Sequence, residues 1–189
     1  GMLQVFAARQ VKNRATLGGN LGTASPIGDL LPVLLALDGE IRLTGPTGSR
    51  VVAAHEYFVD YRKTARQDDE LVVAVRLPQR TQHSAAYKVS KRPSDDISIV
   101  AAAFALVLDS NGYVQHVRLA YGGVAAVPLR ALAVENFLHG RRLDAQTLAE
   151  ARQQLTQAFH PLSDHRGSAD YRRDLCASLF ARFVAEHLP

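Results

Sequence analysis

Residues Ile97–Gly123 read ISIVAAAFALVLDSNGYVQHVRLAYGG, and this stretch decides the expected fold. Its first part, ISIVAAAFALVLD, is almost continuously apolar, which is typical of a central strand that is covered on both faces. Its last part, VQHVRLAYGG, alternates between apolar and polar residues, as a strand with one covered face does. The DSNG sequence of Asp109–Gly112 lies between them and is a strong hairpin signal. The stretch therefore predicts two adjacent antiparallel strands.

The segments on either side extend this hairpin to a whole domain. AAYKVSKR, which precedes it, alternates and predicts a third strand. Three helices are predicted after it: the first begins near Pro128 and ends before Gly140, and the second has two candidate caps, Asp144 and a capping box of Thr147 with Glu150. The last helix repeats large apolar residues every four positions, at Tyr171, Leu175, Leu179 and Phe183. Strands followed by helices indicate an α+β fold, with a three-stranded antiparallel sheet packed with three helices.

A smaller unit is predicted before this sheet. Its helix is expected over Leu30–Leu37 with Asp29 as the N-cap, because a carboxylate there can accept from the first free amides. Two short strands near Glu40–Leu43 and Arg50–Ala53, joined by GPTG turn residues, and a third strand, LVVAVRLP, follow. A polar segment at 79–83 separates the units, so the predicted domains are residues 2–78 and 83–189. Gly1, ahead of Met2, is typical of an expression scar.

Composition narrows the class of protein. The chain has 189 residues, 47% of them hydrophobic and 21% charged, as in ordinary globular proteins. A single cysteine, Cys176, allows neither a disulfide framework nor a cysteine-ligated cluster, and it indicates a reducing, cytoplasmic compartment. The net charge of +4 comes from scattered basic residues, so no nucleic-acid partner is expected. Arg172–Arg173 is interpreted as a solvated helix end, and no apolar run is long enough to span a membrane.

The common catalytic residue sets do not appear in the sequence. Cys176 falls on the apolar face of the last helix and is predicted to be a core residue. The seven histidines show no metal-ligand spacing, and Asp68–Glu70 is interpreted as a solvated turn. Asp95 and Asp96 close the polar loop KRPSDD between two strands, where binding residues often gather. A turn role and a binding role both remain open for them.

A glycine-rich segment, TLGGNLGTASPIGD, precedes the predicted helix at Leu30–Leu37. One interpretation is a flexible loop that uses glycine for tight turns. The other is a ligand-binding surface, because small side chains leave backbone amides accessible to a phosphate-rich or polyol-rich ligand. The glycine pair by itself does not separate the two.

Several motifs occur together in one order: GGNLGTASPIGD, DYRKT, KVSKRPSDDI, LAYGG and SDHRGSADYRRDL. In this combination the chain resembles the FAD-binding part of the xanthine dehydrogenase family of molybdenum hydroxylases, over essentially its whole length. It is most similar to the bacterial small subunit, since DYRKT and SDHRGSADYRRDL favour xanthine dehydrogenase over the CO dehydrogenase medium subunit. The second domain resembles the flavoprotein C-terminal domain of the same family.

The resemblance implies FAD-binding roles for a set of positions. Without it, Phe6 and Val72 would be interpreted as core residues and Lys88 as a solvated strand residue. Pro93–Ser94 departs from the more charged version of the loop that contains Asp95 and Asp96, which the family places near the flavin and the nicotinamide entry side. The implied FAD-binding set is Phe6, Thr16, Gly18, Gly19, Asn20, Asp29, Val72, Lys88, Asp95 and Asp96.

The resemblance also implies an electron path and partners. Electrons would leave molybdenum, pass through iron–sulfur clusters and FAD, and reach NAD, with the molybdopterin and iron–sulfur groups held by partner domains or subunits. The family's FAD module has a further N-terminal half with the main pyrophosphate loop, which has no counterpart in this sequence, so the chain alone is expected to bind FAD weakly or not at all. A homo-oligomer is a further expectation. The alternative is a flavin-free interaction or assembly domain without activity of its own.

Overall fold

The computed structural model describes residues 1–78, 83–93 and 95–188, which form a mixed helix and strand protein. The helices are α1 (Met2–Val5), α2 (Arg9–Lys12), α3 (Leu17–Thr23), α4 (Leu31–Ala36), α5 (Ala54–Tyr57), α6 (Leu132–Leu138), α7 (Ala145–Leu155) and α8 (Ala169–His187). The strands are β1 (Glu40–Gly45), β2 (Gly48–Ala53), β3 (Phe58–Asp60), β4 (Lys63–Thr64), β5 (Leu71–Arg76), β6 (His83–Val89), β7 (Val100–Leu108), β8 (Val114–Gly122) and β9 (Leu129–Arg130).

The larger sheet is antiparallel in the order β6-β7-β8-β9. Its three long strands are the predicted ones, and the two-residue strand β9 adds a short fourth edge. β7 is central: Phe104 lies opposite Ala85 of β6 on one side and Leu119 of β8 on the other. The α+β class is therefore confirmed.

Both faces of this sheet are covered, which explains the continuous apolar sequence of β7. On one face Phe104 meets aromatic rings of β8 and α8, with centroids 5.3 Å from Tyr121, 6.0 Å from Phe180 and 5.5 Å from Phe183. Aromatic pairs at such separations add to the stability that burial gives. On the other face Ala103 and Ala120 belong to the core of the first unit.

The first unit is built on the smaller sheet, β2-β1-β5. β1 and β2 form the expected hairpin, with Gly45 opposite Gly48 at the turn. Helix α4 packs between this sheet and the larger one, and Leu31, Leu34 and Leu35 are each at most 3% exposed. Residues 79–82 of the expected linker lie outside the described residues, and β6 begins at His83.

Two local predictions about the first unit are wrong. Of the two interpretations of the glycine-rich segment, the flexible loop is wrong for its first half, because Leu17–Thr23 forms α3 and Thr16 caps it by accepting from the amide of Gly19 at 2.9 Å. Asp29 is not a helix cap: α4 begins at Leu31 after Leu30, and no side chain caps it. The carboxylate of Asp29 has other partners, described below.

The three predicted helices of the second unit are present. The structure moves the start of one, decides the cap of another and places one residue of the third outside the core. Pro128 precedes β9, and α6 begins later, at Leu132. Asp144 is the cap of α7, because its Oδ1 accepts from the amide of Thr147 at 2.8 Å. In α8 Tyr171 is 44% exposed and lies outside the core.

Cys176 of α8 is fully buried, as the sequence predicted. Burial raises the pKa of its thiol to about 12. Among the helices of residues 1–78, 83–93 and 95–188, none is long and apolar enough to cross a membrane.

Candidate functional site

An open cleft of about 730 Å³ is lined by residues from both units. Its walls are the segment before α4, the β3–β4 turn, the β6–β7 loop, the turn after β8 and the loop before α8. It brings together six of the ten positions implied by the resemblance, although they are far apart in sequence. These six are Phe6, Asn20, Asp29, Lys88, Asp95 and Asp96.

The cleft has a buried charged group at its base. Asp29 Oδ2 accepts from Lys88 Nζ at 2.7 Å, and Asp29 Oδ1 accepts from the Ser98 hydroxyl at 2.5 Å. The side chains of Lys88 and Asp29 are only 6% and 8% exposed. A buried ammonium and a buried carboxylate are tolerable because each neutralises the other. Ser98 was missed in the sequence, where its signal is a single hydroxyl inside the apolar run ISIV.

The two aspartates of the β6–β7 loop differ in what they contact. Asp96 accepts from the amides of Arg92 at 2.8 Å and Ile97 at 2.9 Å. These two hydrogen bonds lower the pKa of the Asp96 carboxyl. Asp95 is exposed at the cleft and has a left-handed backbone, with φ of 51°. Asp96 therefore organises the loop, whereas Asp95 is presented to the cleft.

Arg172 is a buried residue of the cleft wall, so its interpretation as a solvated helix end is wrong. It is 2% exposed. Its Nη1 donates to the carbonyls of Ile99 at 2.5 Å and Gly123 at 3.1 Å, and its Nη2 donates to Asp164 at 2.7 Å. One guanidinium thus joins α8 to three separate segments at or beside the cleft. Its neighbour Arg173 behaves as expected, since it pairs with the exposed Asp170.

Asp164 is held as a carboxylate by this arrangement. Partial burial acts to raise its pKa, but hydrogen bonds from the amides of Arg166 and Gly167 and from Arg172 outweigh that effect and lower the pKa to about 2. The motif SDHRGSADYRRDL is therefore explained by a loop that Asp164 closes and Arg172 anchors.

Gly123 allows the turn after β8 to approach its neighbours closely. Its φ is 83°, and a Cβ atom at this position would lie 2.4 Å from the carbonyl oxygen of Ile99. Its amide donates to the carbonyl of Pro26 at 2.7 Å. Only glycine combines this left-handed backbone with the close approach to the Ile99 carbonyl, because glycine has no Cβ atom.

The other four implied positions lie outside this cleft. Thr16 lines a second, mainly apolar cleft of about 770 Å³, which Phe6 also lines. Gly18 and Gly19 lie in α3 and line neither cleft. Val72 is partly buried against the core of the first unit and lines neither cleft. The structure therefore does not gather the ten positions into one surface.

The cleft fits part of a nucleotide cofactor. Its volume is in the range of ligand sites, which combine apolar walls with a few polar groups. Asn20 faces it, and the Asn20 Oδ1 atom is buried and has no hydrogen-bond partner among the described residues. A buried acceptor is costly when it is unpaired, and a bound ligand with a hydroxyl or N–H group would satisfy it.

Two protein-family models together match almost the whole chain. Residues 1–80 match the FAD binding domain in molybdopterin dehydrogenase. Residues 85–187 match the CO dehydrogenase flavoprotein C-terminal domain.

Individual relatives show the same likeness. A xanthine dehydrogenase of Blastobotrys adeninivorans is 37% identical over 97% of this chain, which spans only 14% of that relative's length. The glyceraldehyde dehydrogenase medium chain of Sulfolobus acidocaldarius is 34% identical over 94% of this chain and 63% of its own. The solved CO dehydrogenase from Oligotropha carboxidovorans has 30% identity and a TM-score of 0.90, over 97% of this chain and 64% of the other.

The fold is that of a flavoprotein domain of the molybdenum hydroxylases. The chain belongs to the xanthine dehydrogenase and CO dehydrogenase family of FAD-binding domains. In this family the molybdenum and iron–sulfur groups belong to other domains or subunits.

Proposed function

We propose that the 730 Å³ cleft holds part of an FAD molecule in a xanthine dehydrogenase-like enzyme. The observation that carries this proposal is that Asn20, whose buried Oδ1 has no hydrogen-bond partner among the described residues, lines that cleft. Bound FAD supplies the redox chemistry, relaying electrons from iron–sulfur clusters to NAD. The residues of this chain bind and orient it, and none acts as an acid or base. The match to an FAD-binding family does not favour a flavin-free assembly domain.

The proposed contacts form two groups. Phe6 supplies an aromatic wall, Asn20 an acceptor and Lys88 a positive charge, and Asp29 lies beside Lys88. Asp95 and Asp96 belong to the loop on the acceptor side, where the exposed Asp95 is the better placed to meet NAD. The positions outside the cleft, Thr16, Gly18, Gly19 and Val72, are proposed from family resemblance only.

The proposed setting is a larger cytoplasmic enzyme. Molybdopterin-binding and iron–sulfur domains or subunits are the proposed partners, NAD is the proposed electron acceptor, and the assembly is proposed to be a homo-oligomer. Residues 2–78 and 83–189 are proposed as the two domains that form the cleft between them.

The cleft narrows the expectation of weak or absent FAD binding: the affinity of the 189-residue chain is proposed to be weak but measurable. More than a third of the matched CO dehydrogenase chain has no counterpart here, since the match covers 64% of it. A ligand that is only partly enclosed loses contacts, while the entropy cost of immobilising it is nearly unchanged. We expect saturable binding with a Kd above about 1 µM.

Flavin fluorescence titration measures both the FAD affinity of the chain and the contribution of Asn20 to it. Asn20→Ala is expected to weaken FAD binding by roughly tenfold, the value of about one hydrogen bond. Asn136→Ala is the matched control, because Asn136 is exposed on α6 and away from the cleft. Equal affinity of Asn20→Ala and wild type, or no saturable binding up to about 1 mM FAD, would contradict the proposed function.

A further inference from the structure

One carboxylate holds both ends of the loop that borders the cleft. Lys88 lies in β6 just before the loop, and Ser98 lies just after it, ahead of β7. Asp29, from the first unit, accepts from both, at 2.7 Å from Lys88 Nζ and 2.5 Å from Ser98 Oγ. Residues 90–93 and 95–97, named here the cleft loop, therefore lie between two donors to the same carboxylate.

The anchor is buried, so water does not compete with it. Ser98 is 1% exposed and Asp29 is 7% exposed. Lys88 supplies the charge that makes a buried carboxylate tolerable. Ser98 uses the other oxygen, which fixes the rotation of the carboxyl group. With both oxygens engaged, the position of the Lys88 ammonium is set as well.

Among the described residues, the cleft loop has few other side-chain attachments to the body of the protein. Asp96 binds amides of the loop itself, those of Arg92 and Ile97. A side-chain contact that leaves the loop joins Lys91 Nζ to the carbonyl of His165 at 2.6 Å, and both residues are exposed. An exposed contact is weaker than a buried, charge-assisted one. The main chain also holds the base of the loop, since the amide of Ile99 donates to the carbonyl of Val89 at 2.7 Å. Among the side-chain attachments of the described residues, the buried anchor is therefore the strongest.

We propose that Ser98 and Asp29 are positioning residues of the cleft. Together they hold the cleft loop, including Asp95, beside the cleft, and they hold the Lys88 ammonium at its base. Ser98 acts only through Asp29. Without its hydroxyl, one carboxylate oxygen is free and Ser98 loses its tie to the first unit. Ile99 stays held by Val89 and Arg172, while the loop before it samples positions away from the cleft.

Hydrogen–deuterium exchange of the ligand-free 189-residue chain tests the restraint directly. Ser98→Ala removes a hydrogen bond to a charged group and is expected to speed amide exchange within residues 91–97 by roughly 10- to 100-fold. Exchange in the core of β7 is expected to stay as in wild type. Ser84→Ala, on the exposed side of β6, is the control and should change neither region. Wild-type exchange of residues 91–97 in Ser98→Ala would overturn the proposal.

A double-mutant cycle shows whether Ser98 acts through Asp29. In an Asp29→Ala background, adding Ser98→Ala should produce little further change in loop exchange, because the hydroxyl then has no carboxylate to which it can donate. Independent, additive effects of the two substitutions would contradict a shared anchor. If Asp29→Ala does not fold, the single Ser98→Ala measurement still decides whether the loop is restrained.

The expected effect of Ser98 on FAD binding rests on the proposed function, and it is measured separately from the exchange of the loop amides. Ser98→Ala is expected to weaken FAD binding by at least about threefold, since the hydroxyl orients the group that fixes Lys88. Ser84→Ala should bind FAD as wild type does. Faster loop exchange with unchanged FAD affinity would overturn the role in cofactor positioning. Absence of FAD binding by wild type would instead refute the proposed function, while the exchange result would still stand.

Discussion

Replacing Arg172 with methionine is expected to destabilise the protein strongly. Methionine keeps a similar length and an apolar stem but removes the guanidinium. The carbonyls of Ile99 and Gly123 then lose a buried donor, and Asp164 loses its shortest ion pair. The substitution therefore disconnects α8 from three neighbouring segments at once.

The size of the effect follows from these lost partners. Each buried polar group left unpaired costs about 1–3 kcal/mol. Asp164 contributes less, because its side chain is 26% exposed and Arg166 lies nearby. We expect the free energy of unfolding to fall by about 3 kcal/mol, in line with the removal of one partner from a buried pair.

Urea denaturation followed by circular dichroism measures this change. With a slope of about 2 kcal/mol per molar urea, the midpoint should fall by about 1.5 M. Arg173→Met is an adjacent control: the side chain of Arg173 is 34% exposed, and its partner Asp170 is 82% exposed, so its loss should cost less than about 1 kcal/mol. Equal midpoints for the two variants would refute the assignment of Arg172 as a buried anchor.

Three further outcomes are expected. Native protein should react slowly with a thiol reagent at neutral pH, because Cys176 is buried and its pKa is raised to about 12; fast reaction would contradict the burial. Asp144→Ala should lower the unfolding free energy by about 1 kcal/mol in urea melts, as the loss of a helix cap does, and no change would show that the cap contributes nothing. The Asp164 carboxyl has a pKa of about 2, below its unfolded value near 4, so its stabilisation is complete above pH 4 and is lost as the pH falls towards 2. Asp164→Asn should therefore flatten the decline of the urea midpoint over that pH range, and an unaltered decline would exclude this carboxyl as its source.

The larger sheet could be predicted from the sequence because its signals are local. Alternation, a continuous apolar run and the DSNG turn each act over a few residues. The helical state of α3 could not, because its three glycines cost roughly 1 kcal/mol each against alanine in a helix. The cap at Thr16 and the complete burial of Leu21 favour the helix nevertheless.

The candidate site was only partly predictable, since its contacts join distant segments. An aspartate before an apolar run looks like a helix cap, and nothing local shows that Asp29 pairs with Lys88, 59 residues later. Two consecutive arginines are typical of a solvated helix end. The carbonyls to which the buried Arg172 donates lie 73 and 49 residues earlier in the sequence. Family resemblance supplied Asp29 and Lys88 but neither Ser98 nor Arg172.

The position of α4 has a consequence for motion. Leu31, Leu34 and Leu35 are buried, and the core that contains them includes Ala103 and Ala120 of the larger sheet. A hinge rotation of one unit against the other would have to separate this packed interface, whereas loops move without exposing core surface. We expect the cleft to change width through the cleft loop and the β3–β4 turn, with the two sheets keeping a fixed orientation.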